Sequence, residues 1–141
     1  MLFRSRLPTE AEMEYSTRAG ALTSRYYGET EDLLAKYAWH YKNSNEKMWP
    51  VGSLKPNDLG LFDIQGNVFT WCQEIHKVYR KGDEIAEDRE DGLVAGTDFR
   101  VLRGSSFLNP ALHVRSSGRA TNVPTDRGYL NGFRVARTFT P

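Results

Sequence analysis

The groups in this sequence that could do chemistry are a set of clustered guanidinium groups, one thiol and three scattered imidazoles. Residues 99–141 carry seven arginines, a single acid (Asp126) and no lysine. Arginine's planar fork matches carboxylates, phosphates and backbone carbonyls. The segment therefore reads either as an anion-binding patch or as a framework in which arginines tie loops together. The missing lysines, and the lack of a basic helix or nucleic-acid module, weigh against nucleic acid as a partner. The one cysteine, Cys72, can form no intrachain disulfide and reads as a small buried apolar residue beside Trp71. His40, His76 and His113 lie far apart and show no metal-ligand spacing.

A second charged tract, residues 83–91 (Asp-Glu-Ile-Ala-Glu-Asp-Arg-Glu-Asp), holds six acids and one base. It reads as a solvated loop; clustered carboxylates also suit calcium, but regular ligand spacing is missing. Hydrophobic content of 39% and aromatic content of 12% are those of an ordinary globular chain, read as one domain over residues 1–141. No apolar run approaches the ~20 residues that span a bilayer, so no membrane role is expected. The start lacks a signal-like apolar stretch, which with the single cysteine favours a cytoplasmic location.

The elements that must position these groups are only partly regular. Thr9 and Glu12 form a Thr-x-x-Glu capping box. The helix it starts would carry Leu7, Ala11, Tyr15 and Ala19 on one face and stop at Gly20. A short second helix is expected over residues 30–37, with Glu29, Glu31 and Asp32 favouring its start. Trp39, Tyr41 and Trp49 are expected to cover the core, and Lys55-Pro56-Asn57-Asp58 to turn. Gly66-Asn67 predicts a tight turn into a strand or buried segment over Val68-Phe69-Thr70-Trp71-Cys72-Gln73-Glu74. Arg100-Val101-Leu102-Arg103 reads as a strand, and Phe133-Arg134-Val135-Ala136 as a closing strand by its alternation. Long irregular connections punctuated by Pro110, Gly118, Pro124, Gly128 and Gly132 lie between them. The class is α+β with much coil.

Several blocks carry a family resemblance. Arg6-Leu7-Pro8-Thr9-Glu10-Ala11-Glu12-Met13-Glu14-Tyr15 resembles the Arg-Leu-Pro-Thr-Glu-Ala-Glu-Trp-Glu-Tyr signature of formylglycine-generating enzyme (sulfatase-modifying factor) domains. Pro50-Val51-Gly52, Pro56-Asn57, Gly60-Leu61-Phe62-Asp63 and Gly66-Asn67-Val68-Phe69-Thr70-Trp71 follow in family order. Arg103-Gly104-Ser105-Ser106-Phe107 resembles the family's Arg-Gly-Gly-Ser element, and Gly132-Phe133-Arg134-Val135-Ala136-Arg137 its Gly-Phe-Arg-x-Ala-Arg end. The resemblance implies a variant of the C-type lectin fold. Only residues 1–6 precede the first block, so it implies either a pared-down domain or the C-terminal part of a longer one. Uncovered strand edges would then favour self-association.

Family enzymes hold copper(I) on two cysteines soon after the Arg-Gly-Gly-Ser element, and here residues 107–115 contain none. The resemblance therefore implies a non-catalytic member, with an enzyme of altered site as the alternative. A related group of iron enzymes binds its metal through histidine clusters that this chain's spacing does not offer. Calcium in the family is held near the Gly-Asn motif, at positions matching Asp63, the carbonyls of Gly66 and Val68, and Thr70. Thr70 replaces a glutamate, which removes a charge and leaves at most a weak site.

The C-terminal third also resembles the variable proteins of diversity-generating retroelements, in which framework residues alternate with diversified surface positions. The resemblance implies a ligand-binding surface over residues 105–131, with a protein or other macromolecule as partner. Its candidate contacts are Phe107, Leu108, Asn109, Leu112, His113, Ser117, Asn122, Asp126, Tyr129, Leu130 and Asn131. Tyr129 would be the anchor, since it offers large area at low entropic cost.

Overall fold

A computed structural model describes residues 4–79 and 96–138. The acidic tract at 83–91 lies outside them. In chain order the elements are β1 (Arg4–Arg6), α1 (Glu10–Arg18), α2 (Leu34–Tyr37), β2 (Phe69–Ile75), β3 (Arg100–Arg103), a 3-10 turn (Ala111–His113), β4 (Arg119–Asn122), β5 (Asn131–Gly132) and β6 (Ala136–Thr138). A four-stranded sheet runs β4-β3-β2-β5, and β1 pairs with β6 in a separate two-stranded ribbon. β2, β3 and β4 are antiparallel neighbours, with Trp71 opposite Leu102 and Leu102 opposite Ala120, whereas β5 lies parallel to β2.

Helix α1 begins as its sequence requires. Thr9 accepts the Glu12 amide at 3.1 Å and the Glu12 carboxylate accepts the Thr9 amide at 2.8 Å. A cap of this kind contributes about 1 kcal/mol. Arg6 forks onto the same Glu12 with two 2.7 Å bonds, and this pair holds the Glu12 carboxyl below the usual carboxylate range. Ala19 ends the helix in the left-handed region (φ 48°), with Gly20 beyond it.

The buried face is not the one the apolar spacing indicates. Glu10, Met13 and Thr17 face inward, while Tyr15 is 74% exposed. The inward face is polar because its carboxylates pair with arginines from the sheet, a tertiary reason that helical periodicity cannot contain. Other differences are local. The second helix is a single turn, Leu34–Tyr37, half the expected length. Only Ala136 of the expected closing strand belongs to β6; Phe133 and Val135 are exposed and it is Arg134 that turns toward the protein, donating to the Phe62 carbonyl. β1 and β4 had no sequence signal of their own.

Two apolar clusters form the core. Met13, Tyr26, Ile64, Cys72 and Val101 make one; Leu34, Ala38, Ala111 and Val114 make the other, and Tyr27 packs against both. Tyr27 and Tyr37 stack at 4.7 Å, and Tyr26 meets each of them edge-on. Trp39 and Trp49 stack at 4.5 Å, whereas Tyr41 is largely exposed. Gly66-Asn67 makes the expected turn. A Cβ at Gly66 would lie 2.4 Å from the Trp39 carbonyl oxygen, so only glycine fits. Asn67 secures the turn by exchanging side-chain bonds of 3.0 Å with the Trp49 backbone.

Candidate functional site

The platform of the C-terminal segment is Arg103, on β3 and 1% exposed. Its guanidinium donates to the carbonyls of Ser116 and Gly118, both at 2.9 Å, and to the Glu14 carboxylate. It also lies 3.6 Å from Glu10. Glu10 accepts Arg119 Nε at 2.5 Å and Nη2 at 2.8 Å, and the Arg119 guanidinium sits 4.2 Å over the Tyr79 ring. The polar face of α1 is thus riveted to β3 and β4 by bidentate, charge-assisted bonds. Elsewhere Arg100 donates to the Gln73 carbonyl at 2.7 Å, and Arg25 binds the carbonyls of Val114 and Ala111 at 2.9 Å each. Burial holds the Arg134 guanidinium below the ordinary arginine range, partly opposed by Asp63. Arg100, Arg103, Arg119 and Arg134 are framework; Arg115 and Arg127 are exposed.

On this platform the chain after β3 is locked locally. Gly104 (φ 89°) and Ser105 (φ 69°) both adopt left-handed backbone, and a Cβ at Gly104 would stand 3.0 Å from the Ile64 carbonyl oxygen. The Asn109 carboxamide oxygen accepts the Ser106 amide at 2.9 Å and its hydroxyl at 2.7 Å. The Asn109 carbonyl accepts the Tyr41 amide at 3.0 Å. Asn109 is therefore a loop-former. Phe107 leaves the candidate surface altogether: it is 1% exposed and backs the Tyr129 ring at 6.1 Å. Its amide donates to the Asn67 carbonyl, so the backbone directs the ring inward.

Five of the candidate contacts come together. Asn122, Asp126, Tyr129, Leu130 and Asn131 line a depression of about 220 Å³, with Phe69, Leu102, Ala120, Thr121 and Gly128 completing it. Tyr129 is 65% exposed at its edge. The loop from β4 to β5 is tied by Asp126, which accepts the side-chain amides of Asn122 and Asn131 and the Gly128 amide at 3.1 Å. Leu130 anchors it to β2, its carbonyl accepting the Phe69 amide at 2.8 Å. Leu112, His113 and Ser117 are exposed on and beyond the 3-10 turn and do not line the depression; Leu108 is half-buried. Sequence reasoning missed Phe69 and Leu102 as its floor, since neither strand announces which residue of the loop will cross it.

The candidate calcium positions are Asp63, the Gly66 and Val68 carbonyls and Thr70. Asp63 is the one carboxylate of its group, and it accepts the Gly52 amide at 2.7 Å. Thr70 is buried within β2. Among the described residues no group of three or more His, Cys, Asp or Glu is placed to hold a metal ion. Cys72 is packed in the core cluster rather than beside residues 107–115, where the family's thiolates would stand.

A short helix riveted to a curled, loop-dominated sheet, with exposed residues on long connections, is the C-type lectin-like fold in the form used by formylglycine-generating enzymes. Residues 3–139 match the sulfatase-modifying factor enzyme 1-like domain, and the chain belongs to that family. It is 32% identical to the formylglycine-generating enzyme of Streptomyces coelicolor, over 93% of this chain and 46% of that protein. It is also 32% identical to the serine/threonine-protein kinase Pkn1 of Chlamydia trachomatis, over 94% of this chain and 21% of that one. Among solved structures, Treponema denticola variable protein 1 superposes with a TM-score of 0.83 at 37% identity, covering 93% of this chain and 46% of its own. PvdO from Pseudomonas aeruginosa superposes at 0.81 with 32% identity, over 96% and 53%. The chain spans about half or less of each of these relatives. No described helix is long and apolar enough to cross a membrane.

Proposed function

We propose that this chain is a non-catalytic ligand-binding domain that displays a surface built by residues 105–131 to a protein or other macromolecule. The observation that carries the reading is the division of labour in that segment. Arg103, Phe107 and Val114 are buried and hold the backbone, while Tyr129, Asp126, Asn122 and Asn131 stand around an open depression. A rigid scaffold with adaptable loop residues is how recognition surfaces limit entropic loss on binding. The similarity to a variable protein supports the finer reading that these exposed positions are diversified by a retroelement. A reverse transcriptase gene nearby, with a copy of this region differing at adenines, is the observation expected with it.

The similarity to formylglycine-generating enzymes favours the alternative, an enzyme with an altered site. Copper(I) titration of the whole chain separates the two: no stoichiometric binding is expected, and no oxidation of a cysteine peptide. Tight copper binding or turnover would sink the binding-module reading. The surface itself is tested by selecting binders from a random peptide display library. Tyr129→Ala is expected to weaken them at least tenfold, on the order of an interface hot spot. Leu22→Ala, at a fully exposed position outside the depression, is the control.

A further inference from the structure

We propose that the depression beside Tyr129 takes a lysine or arginine side chain from a protein partner. The inference rests on the binding-surface reading above and names what that surface selects.

Asp126 is the single acid among residues 99–141, where seven arginines offer partners, yet it makes no ion pair with any of them. Arg127, next in sequence, is exposed and also does not pair with it. The carboxylate instead stands at the edge of the depression, held by neutral donors only: two asparagine amides and the Gly128 amide at 3.1 Å. Those bonds fix its direction and leave its charge uncompensated. A Cβ at Gly128 would come within 3.1 Å of Asp126 Oδ2, so glycine leaves the carboxylate room beside the loop.

The floor is apolar, made by Phe69, Leu102 and Leu130. At ~30 Å³ per water molecule, a depression of 220 Å³ displaces about seven waters, comparable to one long side chain. A hydrocarbon stem ending in a cation satisfies both features, with the methylenes on the floor and the charge at Asp126. The Tyr129 ring adds a face over which a cation is favoured. An acidic side chain would meet like charge, and a purely aliphatic one would leave the carboxylate partly desolvated without a partner.

The test uses the whole chain and two small probes, N-acetyl-lysine methylamide and its uncharged analogue N-acetyl-norleucine methylamide, followed by NMR at the amides of Gly128 and Asn131. The lysine probe is expected to bind about fivefold tighter at low salt, the scale of a partly exposed ion pair. The ratio should fall toward one in 1 M salt. In the Asp126→Asn protein the lysine probe should lose its advantage, the two probes binding alike. If both probes move these amides with equal affinity, the cation assignment is overturned and the binding surface stands. It is also overturned if the lysine probe shows no saturable binding, or binds away from residues 120–131. In those cases the surface reading is judged separately, by the effect of Tyr129→Ala on the selected peptides. The salt dependence needs no variant, so the proposal stays open to refutation even if Asp126→Asn perturbs the loop.

Discussion

Replacing Arg103 with methionine tests the division between framework and display arginines. The methionine stem fills much of the same space but removes every donor. Two backbone acceptors, the Ser116 and Gly118 carbonyls, lose their 2.9 Å bonds, and Glu14 loses one of its two arginine partners, keeping Arg18. Glu10 keeps Arg119. An unsatisfied buried acceptor costs about 1–3 kcal/mol. Both carboxylates keep an arginine, so most of the loss comes from the two orphaned carbonyls rather than from an uncompensated buried charge. The expected loss is therefore about 3–5 kcal/mol; at ~3 °C per kcal/mol for a chain of this size, Tm falls roughly 10–15 °C. Arg103→Lys retains the charge but not the planar fork, and should lose at least half as much. Arg127→Met, at an exposed site, should stay within about 0.5 kcal/mol. Urea and thermal unfolding followed by circular dichroism measure all three. An Arg103→Met protein within 1 kcal/mol of the parent would refute the argument that this arginine organises the loops from beneath.

Three further outcomes follow from the same geometry. Ser105→Gly should stabilise the chain by about 0.5–1 kcal/mol, because a left-handed residue (φ 69°) with a buried, unpartnered hydroxyl is relieved of both burdens; a lower urea midpoint would contradict it. Tyr26→Phe should be neutral or stabilising by about 1 kcal/mol, since the Tyr26 hydroxyl is buried without a partner. Burial, reinforced by Tyr27 and Tyr37, raises the Tyr26 pKa above its ordinary 10.0. A raised folded pKa means its contribution is fully present below pH 10.0 and is lost as pH rises beyond it. Tyr26→Phe should therefore unfold less readily at high pH, and an unchanged alkaline limb would count against the assignment. Calcium or EDTA should shift Tm by less than about 1 °C; a clear fall with chelator would show that Asp63 does more than hold the Gly52 amide.

Local rules made the Thr9–Glu12 capping box, the Gly66-Asn67 turn and the Arg100–Arg103 strand legible from sequence, because each depends on neighbours a few residues apart. The family resemblance, carried by blocks in fixed order, fixed the fold class, and the cysteine-free stretch at 107–115 was plain in composition. What the sequence could not hold was which side of each element faces in. Glu10 is buried because Arg103 and Arg119 arrive from strands about a hundred residues away, so α1 turns a polar face to the core and leaves Tyr15 outside. Phe107 is withdrawn from the surface by a backbone bond to Asn67, and Asp126 becomes the charge of a depression only when the loop from β4 to β5 folds across Phe69 and Leu102. Tertiary structure decided these points because a buried charge, or an exposed one left unpaired, is defined by what surrounds it in space.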